Sequence, residues 1–283
     1  MPQPHRAVAW LRSAALALLV VAACPAVAAS LELDIGQAAR KLGTAALLAR
    51  DDVRDVAIAR DVAYRRPMRY RAVPLRALLP ALRPADHLQF TARDGFTAEI
   101  PAALFLDGRG SVAWLAIEDP ARPWPRLPGK AASAGPFYLV WTDPQAAGIG
   151  PEQWPYQVVA IRRLAPVAER FPALLPDPAL PADSQVRRGF AVFQATCFAC
   201  HTLNGAGAAR MGPDLNIPYN PTEYLRADLL RAYLRDPQSL RRWPAARMPG
   251  FDRNDLSDVD LDAVLAYLGH MAGRKSAPVA PTR

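Results

Sequence analysis

The sequence has 283 residues, of which 51% are hydrophobic and 21% charged, and this composition excludes a chain that is disordered throughout. Its length is enough for two modest domains. Its 29 prolines disfavour long uninterrupted helices and coiled coils over most of the chain. The net charge of +8 is spread along the sequence, so no block is basic enough to indicate nucleic-acid binding.

The chain begins with the pattern of a bacterial signal peptide, which we assign to residues 1–28. Two arginines precede a short apolar run that ends at a proline and at Ala-Val-Ala, residues 26–28. We therefore expect cleavage near Ala29 and export to the periplasm. In an alternative interpretation, residues 21–24 are a lipobox, and a lipid on Cys24 would tether the protein to the membrane.

Residues 197–201 read Cys-Phe-Ala-Cys-His, which is the C-x-x-C-H pattern of covalent c-type haem attachment. Two thiols at this spacing near a helix start can both reach the vinyl groups of one porphyrin. The adjacent His201 then lies under the iron as its proximal ligand. A redox pair would not need the histidine, and a zinc site would need two further ligands nearby. The motif predicts one haem c bound through Cys197 and Cys200, with a disulfide as the alternative.

The sequence around this motif resembles a class I cytochrome c over residues 184–272. The pieces of the resemblance follow in chain order: Gly189 and Phe193, the haem motif, Gly205 and Gly207, Gly212-Pro213-Asp214-Leu215, the helix-like residues 222–237, Arg247-Met248-Pro249-Gly250-Phe251, and the final segment 256–271. The resemblance implies an all-α fold in which the first and last helices cross, with Gly189 and Phe193 near Tyr267. Apolar residues at helical spacing in both segments agree with that arrangement.

The resemblance also implies roles for residues around the haem. Pro213 would accept a hydrogen bond from His201, and Leu215 would pack on the porphyrin. Trp243 would reach a propionate through its indole N–H. The sixth ligand would be Met248, because the distal methionine of the family occupies the same kind of segment before the last helix.

Several other side chains could be the sixth ligand, and the sequence alone leaves them open. A loop flanked by prolines can hold the Met248 thioether rigidly against the iron, which favours this residue. The alternatives are His270, Met271, Met211, Met68 and His87. A His/Met pair would raise the reduction potential relative to two histidines.

Residues 31–164 have a different pattern, with short segments rich in β-branched and aromatic residues. Asp94-Gly95 between two of them predicts a hairpin, and residues 73–79 predict a short helix with proline at its start. The phrases VPLRALL, DHLQFTARDGFTAEIP, AWLAIED, GPFYLVW and YQVVAIRRL occur in an order that resembles the sulfite-oxidase-like, molybdopterin-binding domain. Residues 31–190 contain no cysteine to ligate molybdenum, so we expect this α+β scaffold without a molybdenum cofactor.

The predicted organisation is therefore a β-rich α+β domain at 31–164, a proline-rich linker at 165–183, a cytochrome c domain at 184–272 and a disordered tail at 273–283. We expect a periplasmic electron carrier with protein donors and acceptors, rather than an enzyme, because the sequence supplies no acid–base or nucleophilic set. Two alternatives stay open. The first is the haem subunit of a sulfite-dehydrogenase-like complex, and the second is a haem sensor with a labile sixth ligand.

Overall fold

The structure is a computed structural model that describes residues 29–36, 39–107 and 109–276. The predicted signal peptide, with Cys24, lies outside the described residues. So does the predicted tail from residue 277 onward. In the described part of the chain, no helix is both long and apolar enough to cross a membrane.

The first part of the chain folds into two β-sheets with short helices between the strands. The strands are β1 (Ser30–Asp34), β2 (Arg40–Gly43), β3 (Arg54–Ile58), β4 (Met68–Pro74), β5 (His87–Ala92), β6 (Thr97–Pro101), β7 (Val112–Ile117), β8 (Phe137–Thr142) and β9 (Val158–Leu164). The helices are α1 (Thr44–Leu48), α2 (Leu75–Leu78) and α3 (Ala103–Leu106), with 3-10 turns at Pro144–Ala147 and Pro151–Gln153. The predicted β-rich, mixed character of this region is confirmed.

One sheet has five strands in the order β2-β1-β9-β5-β6, and the other has four in the order β3-β4-β7-β8. Only the pairing of β1 with β9 is parallel; the rest of the described pairings are antiparallel. The hairpin predicted at Asp94-Gly95 joins β5 to β6, with Gly95 at a φ of 92° that favours glycine. The helix predicted after Pro74 is α2.

The core of this region is closed by its own side chains. Strand β8 is buried from Phe137 to Trp141, since one sheet face packs on the other sheet and the opposite face is covered by loops and helices. Phe105 stacks on Trp141 with ring centroids 5.2 Å apart. The aromatic side chains therefore fill the space that a cofactor would take in a larger cavity.

The second part of the chain is helical. Its helices are α4 (Val167–Arg170), α5 (Gln185–Val192), α6 (Pro221–Tyr224), α7 (Ala227–Arg235) and α8 (Asp258–Ala272), with a 3-10 turn at Pro172–Leu174 and a π-helical turn at Phe193–Cys197. The predicted helix over residues 222–237 is interrupted, because Leu225 and Arg226 have extended backbone conformations between α6 and α7.

Helices α5 and α8 cross at Gly189. A Cβ atom at this position would lie 1.9 Å from the Ala263 carbonyl oxygen and 2.7 Å from Cβ of Tyr267. Phe193 packs on Tyr267 with ring centroids 5.3 Å apart. The predicted crossing is therefore confirmed, and it depends on the missing side chain of Gly189. Ser184 and Ser257 cap the two helices through their hydroxyl oxygens.

Three buried asparagines connect the loops of this region to the end of α8. Asn216 donates to the Met271 carbonyl at 2.7 Å and to the amide oxygen of Asn204 at 2.7 Å. Asn220 donates to the Leu268 carbonyl at 3.0 Å and to the amide oxygen of Asn216 at 2.9 Å. The carbonyls are in the last turns of α8, so the amides hold the loop after the haem motif against this helix.

Residues 165–183, which we predicted as a linker, pack on the helical region. Val167 and Leu174 are buried in its core. The Tyr267 hydroxyl donates to the Leu174 carbonyl at 2.7 Å, and the Asn204 side chain donates to the Ala173 carbonyl at 3.0 Å. The prolines here set tight turns that direct the intervening apolar side chains inward. This segment is thus a structural part of the helical region as well as a connection.

The two regions also touch directly. The backbone N–H of Thr97 in β6 donates to the Ala199 carbonyl, inside the haem motif, at 3.3 Å. Arg170 of α4 forms an ion pair with the buried Glu99 of β6, which also accepts a hydrogen bond from Gln89 at 3.1 Å. The sheet region therefore lies against the segment that carries the two cysteines.

Candidate haem site

The haem motif follows the π-helical turn at the end of α5. The N–H groups of Cys200 and His201 both donate to the Cys197 carbonyl, at 3.1 and 3.0 Å, so the motif is one tight turn. In the described part of the chain both cysteines are free thiols. Burial is the first cause that raises the pKa of each thiol, to about 12. The pair is thus held as protonated thiols, and the disulfide alternative has no support in this geometry.

His201 is buried and oriented by the backbone. Its Nδ1 lies 2.8 Å from the Pro213 carbonyl oxygen, which can only accept, so Nδ1 carries the proton. Nε2 is then left with its lone pair, as an iron ligand requires. Burial lowers the pKa of the imidazole, which favours the neutral form that binds metal.

The loop after the motif encloses the imidazole. The Gly212 N–H donates to the Cys200 carbonyl at 2.8 Å. A Cβ atom on Gly212 would lie 2.4 Å from Cε1 of His201, so glycine is needed for this close approach. Leu215 is partly buried and packs against the helical core, next to this loop.

Met248 lies in the irregular segment between α7 and α8. Its side chain is partly buried and packs against the helical core. Its neighbours Arg247 and Pro249 line a cavity that Cys200 also lines. The site of the haem motif and the loop of Met248 therefore open into one space.

The alternatives to Met248 have other surroundings. Nε2 of His270 accepts a hydrogen bond from the Asp177 N–H at 3.1 Å. Met271 is buried in the core of the helical region. Met68 and His87 are in strands β4 and β5 of the sheet region. Met211 is exposed and lines the same cavity as Cys200, so among these alternatives it is the one that the structure places nearest to the motif.

Trp243, predicted to reach a propionate, is 60% exposed. Its backbone N–H and carbonyl are both bonded to the side chain of Gln238, at 2.6 and 3.0 Å, and Arg241 lies over its ring. The indole is consequently on the outside of the loop that carries Met248.

Comparison with known proteins agrees with this geometry. Residues 186–272 match the family model described as Cytochrome c, while no curated protein matches the chain. This part of the chain is a cytochrome c domain. The match implies covalent haem c at Cys197 and Cys200, and it supports a haem-based electron-transfer role. The resemblance of residues 31–164 to the sulfite-oxidase-like domain stays a prediction.

The cavity beside the cytochrome c domain has space for the porphyrin. Its volume is about 1370 Å³, above the range of about 300–1,000 Å³ that is typical of small-molecule sites. The cytochrome c domain contributes Cys200, Met211 and Pro249 to its wall, and the sheet region contributes Trp154 and Tyr156. Together with the free thiols and the oriented His201, this volume fits a covalently bound haem. The described residues contain no other cluster of His, Cys, Asp or Glu suited to a metal ion.

Sequence reasoning missed the residues that organise the proximal loop. The carboxylate of Asp214 accepts from the N–H groups of Asn204, Gly205, Asn216 and Ile217, at 2.7 to 3.1 Å. The Gly-Pro-Asp-Leu sequence was visible, but only its proline and leucine received roles. An aspartate within a glycine-rich loop is a signal for such backbone capping, and it could have been used.

Proposed function

We propose that the protein is an exported c-type cytochrome that carries single electrons between periplasmic redox partners through one haem ligated by His201 and Met248. The bound haem would supply the reversible one-electron couple. The observation that carries the proposal is the imidazole of His201, which is buried, singly protonated at Nδ1 and free to ligate through Nε2.

The chain's own residues would hold this haem in a fixed environment. Cys197 and Cys200 would form the two thioether bonds, and the Pro213 carbonyl would set the plane of the His201 ring. Leu215 would pack on the porphyrin, and Met248 would close the opposite axial position. With both axial positions filled, little reorganisation accompanies electron transfer. The exposed indole of Trp243 would reach a propionate only if the loop turns inward around bound haem.

Export is part of the proposal. It is supported by the leader sequence and by the haem motif, because c-type haem is attached outside the bacterial cytoplasm. Determination of the N-terminus of the mature protein tests it. A start near Ala29 supports a periplasmic form, and a lipid-modified Cys24 supports a tethered form.

A second candidate is the haem subunit of an oxidoreductase complex. The contact between Thr97 and Ala199 favours it, because the sheet region is fixed against the haem motif and could serve as a docking platform for a catalytic partner. The sensor alternative requires an open or labile sixth position.

The visible spectrum of the protein separates these functions. The full chain with its own leader is produced in a host that matures c-type haem, and ferric and ferrous spectra are recorded with and without carbon monoxide. A low-spin haem with a methionine–iron charge-transfer band and no carbon monoxide shift is expected, and Met248→Ala should remove that band while Met211→Ala should leave it. A wild-type haem that binds carbon monoxide would contradict the carrier.

A further inference from the structure

A buried carboxylate in the sheet region is bonded to two tyrosines. Asp61 is 2% exposed and forms no ion pair within the described residues. Its two oxygens accept from the Tyr70 hydroxyl at 2.7 Å, the Tyr138 hydroxyl at 3.3 Å and the Tyr64 N–H at 2.8 Å. Every partner is a donor, which fits the ionised acid. A buried charge without a cation is costly, so packing alone does not explain it.

The two tyrosines belong to a continuous row of aromatic rings, which we call the aromatic chain. It comprises Trp124, Tyr70, Tyr138 and Trp154. Successive ring centroids are 4.8, 5.8 and 6.2 Å apart. Tyr156 branches from Tyr138 at 6.2 Å. The rings are therefore in van der Waals contact from one end of the row to the other.

The two ends of the aromatic chain have different surroundings. Trp154 and Tyr156 line the cavity that Cys200 also lines, so this end faces the haem crevice. Trp124 is only partly buried and begins the segment that leads to the exposed residues 125 and 126. Asp61 itself lines the same cavity. The row thus joins the haem crevice to the outside of the sheet region.

We propose that the aromatic chain carries one-electron oxidising equivalents from the haem crevice to the surface at Trp124, with Asp61 as the proton acceptor for Tyr138 and Tyr70. The inference rests on the haem site proposed above. It assigns the sheet region a redox role, in which its side chains protect the haem from hydroperoxides that reach the crevice.

The step balances in electrons and protons. Tyr138 loses one electron toward the crevice, and its phenolic proton moves along the existing hydrogen bond to Asp61. Tyr70 then returns an electron and Asp61 a proton to Tyr138, and the oxidising equivalent passes to Trp124, where an external one-electron reductant such as ascorbate removes it. Two such electrons, with two protons from water, convert one hydrogen peroxide into two water molecules.

The hydroxyls are what distinguish this row from ordinary packing. Phenylalanine would fill the same volume without requiring a buried acceptor. A tyrosine gives up an electron at an accessible potential only when its proton can leave, and a carboxylate already bonded to the hydroxyl provides that path. Asp61 and the two tyrosines are therefore needed together.

The test uses the full-chain holoprotein and hydrogen peroxide. The ferric protein is mixed with peroxide, frozen within seconds and examined by electron paramagnetic resonance. We expect a tyrosyl radical in the wild type that is largely lost in Tyr138→Phe and in Asp61→Asn. Tyr224→Phe is the matched control, since this tyrosine is exposed in the cytochrome c domain, and it should leave the signal unchanged. With ascorbate present, peroxide should bleach the haem severalfold faster in Tyr138→Phe and Asp61→Asn than in the wild type and the control.

Covalent haem content and the visible spectrum are measured first in every variant. A wild-type protein without covalent haem would overturn both the proposed function and the aromatic chain. A normal haem whose radical yield and bleaching rate are the same in wild type, Tyr138→Phe and Asp61→Asn would overturn the aromatic chain alone. Asp61→Asn keeps both tyrosines, so it decides the outcome if Tyr138→Phe does not fold.

Discussion

The sheet region and the cytochrome c domain solve the problem of a stable interior in different ways. In the sheet region, two sheets and their aromatic side chains fill the core, with Tyr138 and Phe137 fully buried. In the cytochrome c domain, buried asparagines such as Asn216 bridge loops to α8, and a crevice faces the cavity at Cys200. The first region is completed by its own residues, whereas the second is built around a group that the polypeptide does not supply.

Loss of the thioether bonds should separate the two regions most clearly. We expect Cys197→Ser combined with Cys200→Ser to abolish covalent haem and to destabilise the helices, while the sheet region stays folded. The two regions have different probes, because Trp114, Trp124, Trp141 and Trp154 are in the sheet region and only Trp243 is in the helical region.

Thermal unfolding followed by circular dichroism at the helical band and by tryptophan fluorescence measures this effect. The helical signal should melt at a lower temperature than in the wild type, and the fluorescence transition should move less. Coincident transitions in the variant would show that the sheet region depends on the haem as strongly as the cytochrome c domain does.

A methyl group at the helix crossing should have the next largest effect. Gly189→Ala places Cβ against the Ala263 carbonyl and Tyr267, so we expect the free energy of unfolding to fall by about 1–3 kcal/mol. Gly269→Ala is the matched control in α8, where a new Cβ meets nothing within 4 Å. Denaturant unfolding of the holoprotein measures both, and an equal loss for the two variants would refute the crossing as the cause.

A carboxyl group of the sheet region should make stability depend on pH. Burial, and secondly the Asp255 carboxylate, raise the pKa of Glu152 from 4.5 to about 7. The folded state therefore binds more protons than the unfolded state between these values, and stability falls as pH rises from about 4.5 to about 7. Because the side chain is partly exposed, we expect a contribution of about 1–2 kcal/mol.

Glu152→Gln removes this titration. The difference in unfolding free energy between the variant and the wild type, measured at several pH values, should change across the same interval. A constant difference would mean that Glu152 is ionised in the folded protein throughout.

The smallest effect is expected at Trp243. Trp243→Phe removes the indole N–H of an exposed side chain, so the free energy of unfolding should change by less than about 0.5 kcal/mol. The reduction potential is the sharper readout. An unchanged potential would argue against a propionate contact, and a shifted one would show that the loop turns inward in the holoprotein.

The parts of the fold that sequence could predict are those with a local pattern. The haem motif, the Asp94-Gly95 hairpin and the close approach at Gly189 each depend on a few residues near one another in the chain. The packing of residues 165–183 was not predictable, since short proline-flanked segments carry no periodicity to show which face is buried. The pairing of Arg170 with Glu99 joins residues distant in sequence, and no local signal marks it.

The site shows the same division. Pro213 was placed correctly beside His201 because the family resemblance fixes that loop. The cavity between the regions was not foreseen, because Trp154 and Tyr156 read as ordinary strand-flanking aromatics. The buried carboxylate of Asp61 was also missed, since its partners Tyr70 and Tyr138 come from strands that only the folded sheet brings together.

The anchoring of Leu174 to Tyr267 bears on how electrons would travel. A haem on a loose tether finds its partner by swinging, and its transfer rate then depends on solvent viscosity. Here the connecting segment is bonded to the helical core, and Arg170 joins it to Glu99 of the sheet region. The tunnelling distance inside the chain is therefore set by the architecture, and each partner has to diffuse to a stationary donor.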